Sequence, residues 1–264
     1  MVLDDILERK RQEVNELKKR LPLAKLIKQI DSTQKDRRSF KQALSRGKKT
    51  HFICELKKAS PSEGLLREHF QVEEIAQEFE EAGASAISVL TERHYFLGNP
   101  RFLKQARLVT SIPILRKDFI VDPYQVYETR ALGADAFLII VHLLSNTKLK
   151  ELLKTADALK LDTLVEAHTK EELDRALEAG SKLIGINNRN LKTLETDLTV
   201  SERLIPFIPK GVIAVVESGI ETRADINRYQ QLGINHFLIG TSLMKSKNIK
   251  QKIKELNGQL NGVQ

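Results

Sequence analysis

Eight short apolar, β-branched runs, separated by longer stretches of helical period, constrain this chain more than any other feature. They begin near Phe52, Ala86, Ile112, Ala136, Thr163, Lys182, Val212 and His236. Most are about four to six residues long, as strands buried on both faces should be. Such alternation implies βαβ units and a parallel sheet. Eight parallel strands close on themselves, so the expected fold class is α/β, a single (β/α)8 TIM barrel over residues 1–264, with residues 1–50 as an N-terminal helical extension.

The helical stretches carry their own boundaries. Thr169 with Glu172 three residues later has the form of a capping box, and Asp122-Pro123 sets a cap before a proline at the first helical position. Val72, Ile75, Ala76 and Phe79 make one apolar stripe that can lie on a sheet. Gly83, Gly133, Gly180 and Gly233 each close a helical stretch before a strand, at separations of 50, 47 and 53 residues. Each interval holds two units of about 25 residues, the size of the barrel's repeating βα unit. In the extension, Ile6, Val14 and Leu17, and then Phe40, Ala43 and Leu44, give partial stripes. These helices either close the barrel bottom or cover one mouth and shape the site, and the second is the sharper expectation.

The chain is 41% hydrophobic and 30% charged. Its longest apolar runs, such as Ala136 to Val141, fall far short of the roughly 20 residues that span a bilayer. An acidic start at Asp4-Asp5 lacks the features of a secretory signal, so a cytoplasmic location is expected. The single cysteine, Cys54, leaves no disulfide framework and no cysteine zinc cluster, and its apolar setting reads as packing. A net charge of +8 suits either a nucleic-acid surface or a small polyanionic substrate. The basic residues are scattered in short groups (Lys18 to Arg20, Arg37-Arg38, Lys48-Lys49, the lysines from Lys245 to Lys254) with no aromatic residues between them and no Trp. That pattern argues against nucleic acid and for solvated helix faces.

Active sites of this fold lie at the C-terminal ends of the strands. The first strand ends in Glu55 and Lys57, two apart and so on one face, with Cys54 and Leu56 on the other. The third ends in Lys117, the fifth in Glu166, the sixth in Asn187-Asn188-Arg189 and the seventh in Glu217-Ser218-Gly219. One charged residue at a strand end is commonly a simple exit to solvent; several on one rim are not. Ser218-Gly219 after strand seven and Gly240-Thr241-Ser242 after strand eight stand where barrels often bind phosphate through backbone N–H groups. A phosphorylated small molecule is therefore the leading substrate class.

The segments Glu55-x-Lys57-Lys58-Ala59-Ser60-Pro61-Ser62, Thr91-Glu92 with Tyr95-Phe96-x-Gly98, Lys117-Asp118-Phe119-Ile120, Leu164-Val165-Glu166, Gly185-Ile186-Asn187-Asn188-Arg189 and Glu217-Ser218-Gly219-Ile220 occur in the order found in indole-3-glycerol-phosphate synthases, and the chain resembles that family over nearly its whole length. Ile6, Lys10 and Glu13-Val14 resemble the family's first helix. The resemblance implies ring closure of 1-(2-carboxyphenylamino)-1-deoxyribulose 5-phosphate with loss of CO2 and water, in tryptophan biosynthesis, without a cofactor. It gives the general acid to Lys117, whose pKa is expected to be lowered, and the dehydration steps to Glu166 and Lys57, with the division between the two lysines open. Glu55 would hold the lysines, and Asn187 and Ser218 would bind substrate or transition state. Arg189 and Glu217 would add polar contacts, Phe96 and Phe119 would wall the aromatic ring, and Ser60, Gly219, Gly240 and Thr241 would bind substrate. Glu63 and Asn190 depart from the family, which often has a base and an aspartate there.

No metal is expected, since the histidines, including His142 and His168, form no ligand-spaced pair. A monomer is the default, with contact to other enzymes of the pathway left open. The competing readings are another phosphate-binding barrel, such as a phosphoribosyl isomerase, and a basic barrel that binds RNA. The first would not need Lys57, Lys117 and Glu166 together; the second needs its charge in one stripe.

Overall fold

A computed structural model describes residues 2–33, 37–47 and 50–259; Met1, residues 34–36, the Lys48-Lys49 pair and residues 260–264 lie outside the described residues. The eight strands are β1 (His51–Leu56), β2 (Ala86–Leu90), β3 (Ile114–Lys117), β4 (Ala136–Ile140), β5 (Asp162–Ala167), β6 (Leu183–Asn187), β7 (Ile213–Glu217) and β8 (His236–Ile239). Each pairs in parallel with its neighbours in chain order, and β8 returns to β1 with His51 opposite His236, closing the barrel. The third strand starts at Ile114 rather than near Ile112, because Pro113 has no N–H to give to the ladder. Among the described residues no helix is long and apolar enough to cross a membrane.

The outer layer, which includes α5 (Arg101–Val109), α7 (Asn146–Ala158), α9 (Thr199–Leu204) and α10 (Arg223–Gln231), follows the sequence signals closely. In α4 (Val72–Glu81), Val72, Ile75, Ala76 and Phe79 are all buried and pack in one cluster with Cys54 and Leu56 from the outward face of β1. Asp122 caps α6 (Pro123–Ala131) in a complete capping box with Gln125. Thr169 caps α8 (Lys170–Glu178) by accepting the Glu172 N–H, but the Glu172 carboxylate accepts from the N–H of His168 at 2.8 Å, one residue before the cap. Gly83, Gly133, Gly180 and Gly233 have φ between 81° and 89°, the left-handed turn that ends a helix and that a Cβ would strain.

Inside the barrel, Ile53, Leu115, Leu138, Leu164, Leu183, Val215 and Leu238 form the apolar filling. Two residues further along β1, β3, β5 and β7, the same inward face carries Glu55, Lys117, Glu166 and Glu217. The period of two therefore places every one of these ionisable groups over the apolar plug, at the C-terminal rim.

The extension serves both ends of the barrel. α1 (Val2–Arg20) lies over the C-terminal mouth, where Leu3 and Ile6 reach the cavity and the buried Lys10 pairs with Asp118 at 3.0 Å and Glu13 at 2.8 Å. α2 (Leu23–Thr33) packs against α6, with Leu26 beside Tyr124. α3 (Phe40–Ala43) closes the opposite end: Phe40 and Leu44 enter the apolar filling, while the backbone N–H groups of Arg38 and Lys41 donate to Asp135 and Asp162 at the feet of β4 and β5. The bottom cap and the mouth cover, posed as alternatives from sequence, are thus both present in different helices.

Candidate active site

The C-terminal mouth opens into a cavity of about 450 Å³. Of the residues expected at the site, Glu55, Lys57, Lys117, Glu166, Asn187 and Ser218 line it, as do Ser60, Phe96, Phe119, Arg189, Gly219, Gly240 and Thr241. Glu217 does not: its side chain is fully buried beneath the wall, where it accepts a 2.8 Å hydrogen bond from Lys117 Nζ.

Lys117 is the hub of the charged floor. Its Nζ also lies 3.3 Å from Glu55 Oε1, and the other oxygen of Glu55 lies 3.1 Å from Lys57 Nζ. Glu55 therefore contacts both lysines at once. Burial alone would push Glu55 up, but the two ammonium groups outweigh it and hold the carboxyl below its ordinary value. Glu166 is likewise kept low against its burial, by His168, by Lys117 and by a hydrogen bond to Asn187.

The expected lowering of Lys117 is overturned. Burial works in that direction, but Glu217, Glu55 and Glu166 surround the ammonium and hold its pKa above the usual lysine value. The sequence could not show that three carboxylates from three strands would meet one lysine. The strain of that arrangement falls on Glu217, which burial, with Glu166 and Glu55 nearby, pushes up to about 7 despite the Lys117 contact.

Two glycines make room for the carboxylates. A Cβ at Gly185 of β6 would run into Glu217, and one at Gly240 would run into Glu55. Gly219 (φ 81°) follows Ser218 (φ 66°) in a tight left-handed turn, and a Cβ there would approach Leu198 and Thr196 at 2.6 and 2.8 Å. Asn188 fixes that turn from behind: its Nδ2 donates to the Ser218 carbonyl at 3.1 Å, and its Oδ1 accepts from Ser201 Oγ at 2.7 Å.

Phe96 and Phe119 face each other across the apolar wall, with ring centroids 6.3 Å apart and planes inclined by 44°. Phe96 is held by the buried Glu92 carboxylate, which accepts the N–H groups of His94, Tyr95 and Phe96 at 2.8 to 3.0 Å. Phe119 packs with Ile6 of α1 in the apolar filling, so it serves as wall and core together.

The loop after β1 is a small hairpin, Ala59–Ser60 antiparallel to Gly64–Leu65. Glu63, at its tip, pairs with Lys245 at 2.6 Å, and that hydrogen bond holds its carboxyl below the ordinary value. Asn190 accepts from the N–H groups of Lys192 and Thr193 at 2.8 and 3.1 Å, a turn an aspartate would make equally well. Sequence reading missed His168, which lies 3.3 Å from Glu166, and its partner Glu172, seen there only as a capping residue. The period of two from Glu166 was the available signal.

The family model described as indole-3-glycerol phosphate synthase matches residues 3–256. The chain is 45% identical to the indole-3-glycerol phosphate synthase of Alkaliphilus metalliredigens over 260 residues, covering 98% of this chain and 99% of that one. It is 47% identical to that of Endomicrobium trichonymphae over 258 residues, covering 97% and 99%. Among solved structures, the 3-hexulose-6-phosphate synthase of Salmonella typhimurium superposes with a TM-score of 0.64 at 11% identity, covering 79% of this chain and 97% of that one, a likeness of fold alone. With the family model matched along nearly the whole chain and relatives at this identity end to end, the chain belongs to the indole-3-glycerol phosphate synthase family.

Proposed function

We propose that this cavity closes the indole ring of 1-(2-carboxyphenylamino)-1-deoxyribulose 5-phosphate, releasing CO2 and water as a carbon–carbon lyase of tryptophan biosynthesis. The observation that carries the assignment of roles is the placement of Lys117 and Glu166 on one cavity wall system, from β3 and β5, beside the Phe96–Phe119 pair. The ring carbon bearing the carboxylate attacks the ketone carbon, and Lys117 gives its proton to the developing alkoxide. Its raised pKa keeps that proton in place at working pH, and an alkoxide is a far stronger base than the carboxylates that hold it. Loss of CO2 returns the bonding pair to the ring. Glu166 then removes a proton from the carbon next to the new hydroxyl-bearing centre while Lys57 protonates the departing hydroxide.

Ser218, Gly219, Gly240 and Thr241 form the opposite part of the wall, and α11 (Thr241–Lys245) begins directly after Gly240, which supports binding of the phosphate there through backbone N–H groups. Arg189 is held by a hydrogen bond to the Leu194 carbonyl at 2.6 Å and faces the same space. The test is to give the purified protein the carboxyphenylamino-deoxyribulose phosphate and follow indole fluorescence. Absence of fluorescence with stable, folded protein overturns the reading.

A further inference from the structure

Behind Glu166 stands a line of side chains that the reaction above leaves unused. His168 follows Glu166 by two residues and so faces the same way off the end of β5. Its Nε2 lies 3.3 Å from Glu166 Oε1, and its Nδ1 lies 3.2 Å from Glu172 Oε2, the oxygen that also accepts the His168 backbone N–H. The other oxygen of Glu172 lies 2.8 Å from Nδ1 of His142, in the turn after β4. Glu166, His168 and Glu172 have side chains 2%, 12% and 8% exposed, whereas His142 is 40% exposed, so the line runs from the cavity to the surface.

A neutral buried imidazole carries one donor and one acceptor nitrogen and needs one partner of each kind, whereas the imidazolium needs two acceptors. This ring has a carboxylate at each nitrogen. Glu172 grips both its backbone and its Nδ1, which fixes the ring plane and leaves Nε2 3.3 Å from Glu166, an ion-pair contact rather than an aligned hydrogen bond. Burial disfavours the imidazolium, yet contact with Glu166 and Glu172 raises its pKa to about 10. The other groups facing Glu166 are Lys117 from β3, Glu217 from β7 and Asn187 from β6. Lys117 lies on the substrate side and gives up its proton there, so it cannot compensate Glu166 throughout the reaction.

Building on the assignment of Glu166 as the base, we propose that His168, oriented by Glu172, is the positioning residue that aims the Glu166 carboxylate and supplies the lasting positive charge behind it. The full-length protein tests this. In His168→Gln, which keeps a donor but removes the charge, kcat should fall about tenfold with KM within about twofold. The acidic limb of the kcat–pH profile should move up by about one unit, the shift an opposite charge at this distance produces. Glu172→Gln leaves the ring in place and should move the limb the same way by less. Reciprocally, Glu166→Gln should lower the pH at which the His168 ring titrates by NMR, since coupling between two sites is mutual. An acidic limb unmoved in both His168→Gln and Glu172→Gln, or a His168 titration unmoved in Glu166→Gln, overturns the inference while an inactive Glu166→Gln upholds the base. A Glu166→Gln enzyme with normal kcat overturns both.

Discussion

The Glu55 carboxylate fills the space that a side chain at position 240 would need: a Cβ on Gly240 would stand 3.1 Å from both Cβ and Cδ of Glu55, with the carboxylate oxygen closer still. Gly240 was expected to be small so that phosphate could approach the backbone. Its first physical requirement is the residue that holds Lys57 and Lys117. Gly240→Ala should therefore lower kcat by about 10²-fold as well as raise KM, because displacing a catalytic group by about 1 Å costs that much. Steady-state kinetics separates the cases. A raised KM with unchanged kcat would mean that Glu55 tolerates the methyl group and that only phosphate binding is affected.

Positions along the strands were legible from sequence, and interactions between strands were not. Alternation by two fixes that Glu55, Lys117, Glu166 and Glu217 face inward, and the helix-ending glycines fix the repeat that brings those strands round to one rim. Which inward groups meet depends on register and twist around the closed barrel, so the burial of Glu217 under Lys117 could not be read in advance. The same limit explains Lys117. The lowering expected for Lys117 fails because its neighbours, one to a strand, are three carboxylates. Gly185 and Gly240 carry a signal that pattern reading passes over: an inward glycine beside a strand with an inward acid marks where that acid lies down.

The Lys10–Asp118 pair fastens the mouth-covering helix to the residue next to Lys117. Burial would raise Asp118, but Lys10 and Arg116 hold it at about 2. The stability this contributes is complete above the ordinary aspartate value of about 3.9 and is lost as pH falls through about 2. Lys10→Met should destabilise the fold by about 3 kcal/mol near neutral pH, as breaking a buried pair does, with Arg116 left as the remaining partner. Urea midpoints measured from pH 2 to 7 should show the gap between the two proteins narrowing toward the acid end. A constant gap would assign the loss to packing rather than charge.

The Glu63–Lys245 pair links the tip of the hairpin after β1 to the helix that follows β8, across the cavity mouth. Both side chains are well exposed, so breaking the pair by Lys245→Ala should change stability by less than about 1 kcal/mol. A reducible bis-thiol cross-linker of the pair's own length, joining Glu63→Cys to Lys245→Cys, should instead slow turnover by restraining the hairpin during closure or release. Reduction should restore the rate. A cross-linked enzyme with unaltered kcat and unaltered dependence on solvent viscosity would exclude the hairpin as a gate.

Lys117 and Glu166 reach the cavity from β3 and β5, and each is buried against a countercharge. Lys117→Met and Glu166→Gln keep much of the side-chain volume and remove the proton chemistry. General acid–base catalysis typically contributes about 10²- to 10⁴-fold, so kcat should fall by that much in each variant. KM should change far less, because the proposed phosphate contacts at Gly219 and Gly240 and the Phe96–Phe119 wall lie elsewhere. The Lys117 variant carries a further signature. Without its ammonium, Glu217 keeps the burial and the carboxylate neighbours that raise its pKa and loses the group that opposes them, so it should become protonated at a pH above 7. Carboxyl infrared difference spectra of wild type and Lys117→Met across pH 5 to 9 read that change directly. A folded Lys117→Met protein with near-normal kcat would shift the acid role to Lys57, whose ammonium shares Glu55 with Lys117 and lines the same cavity.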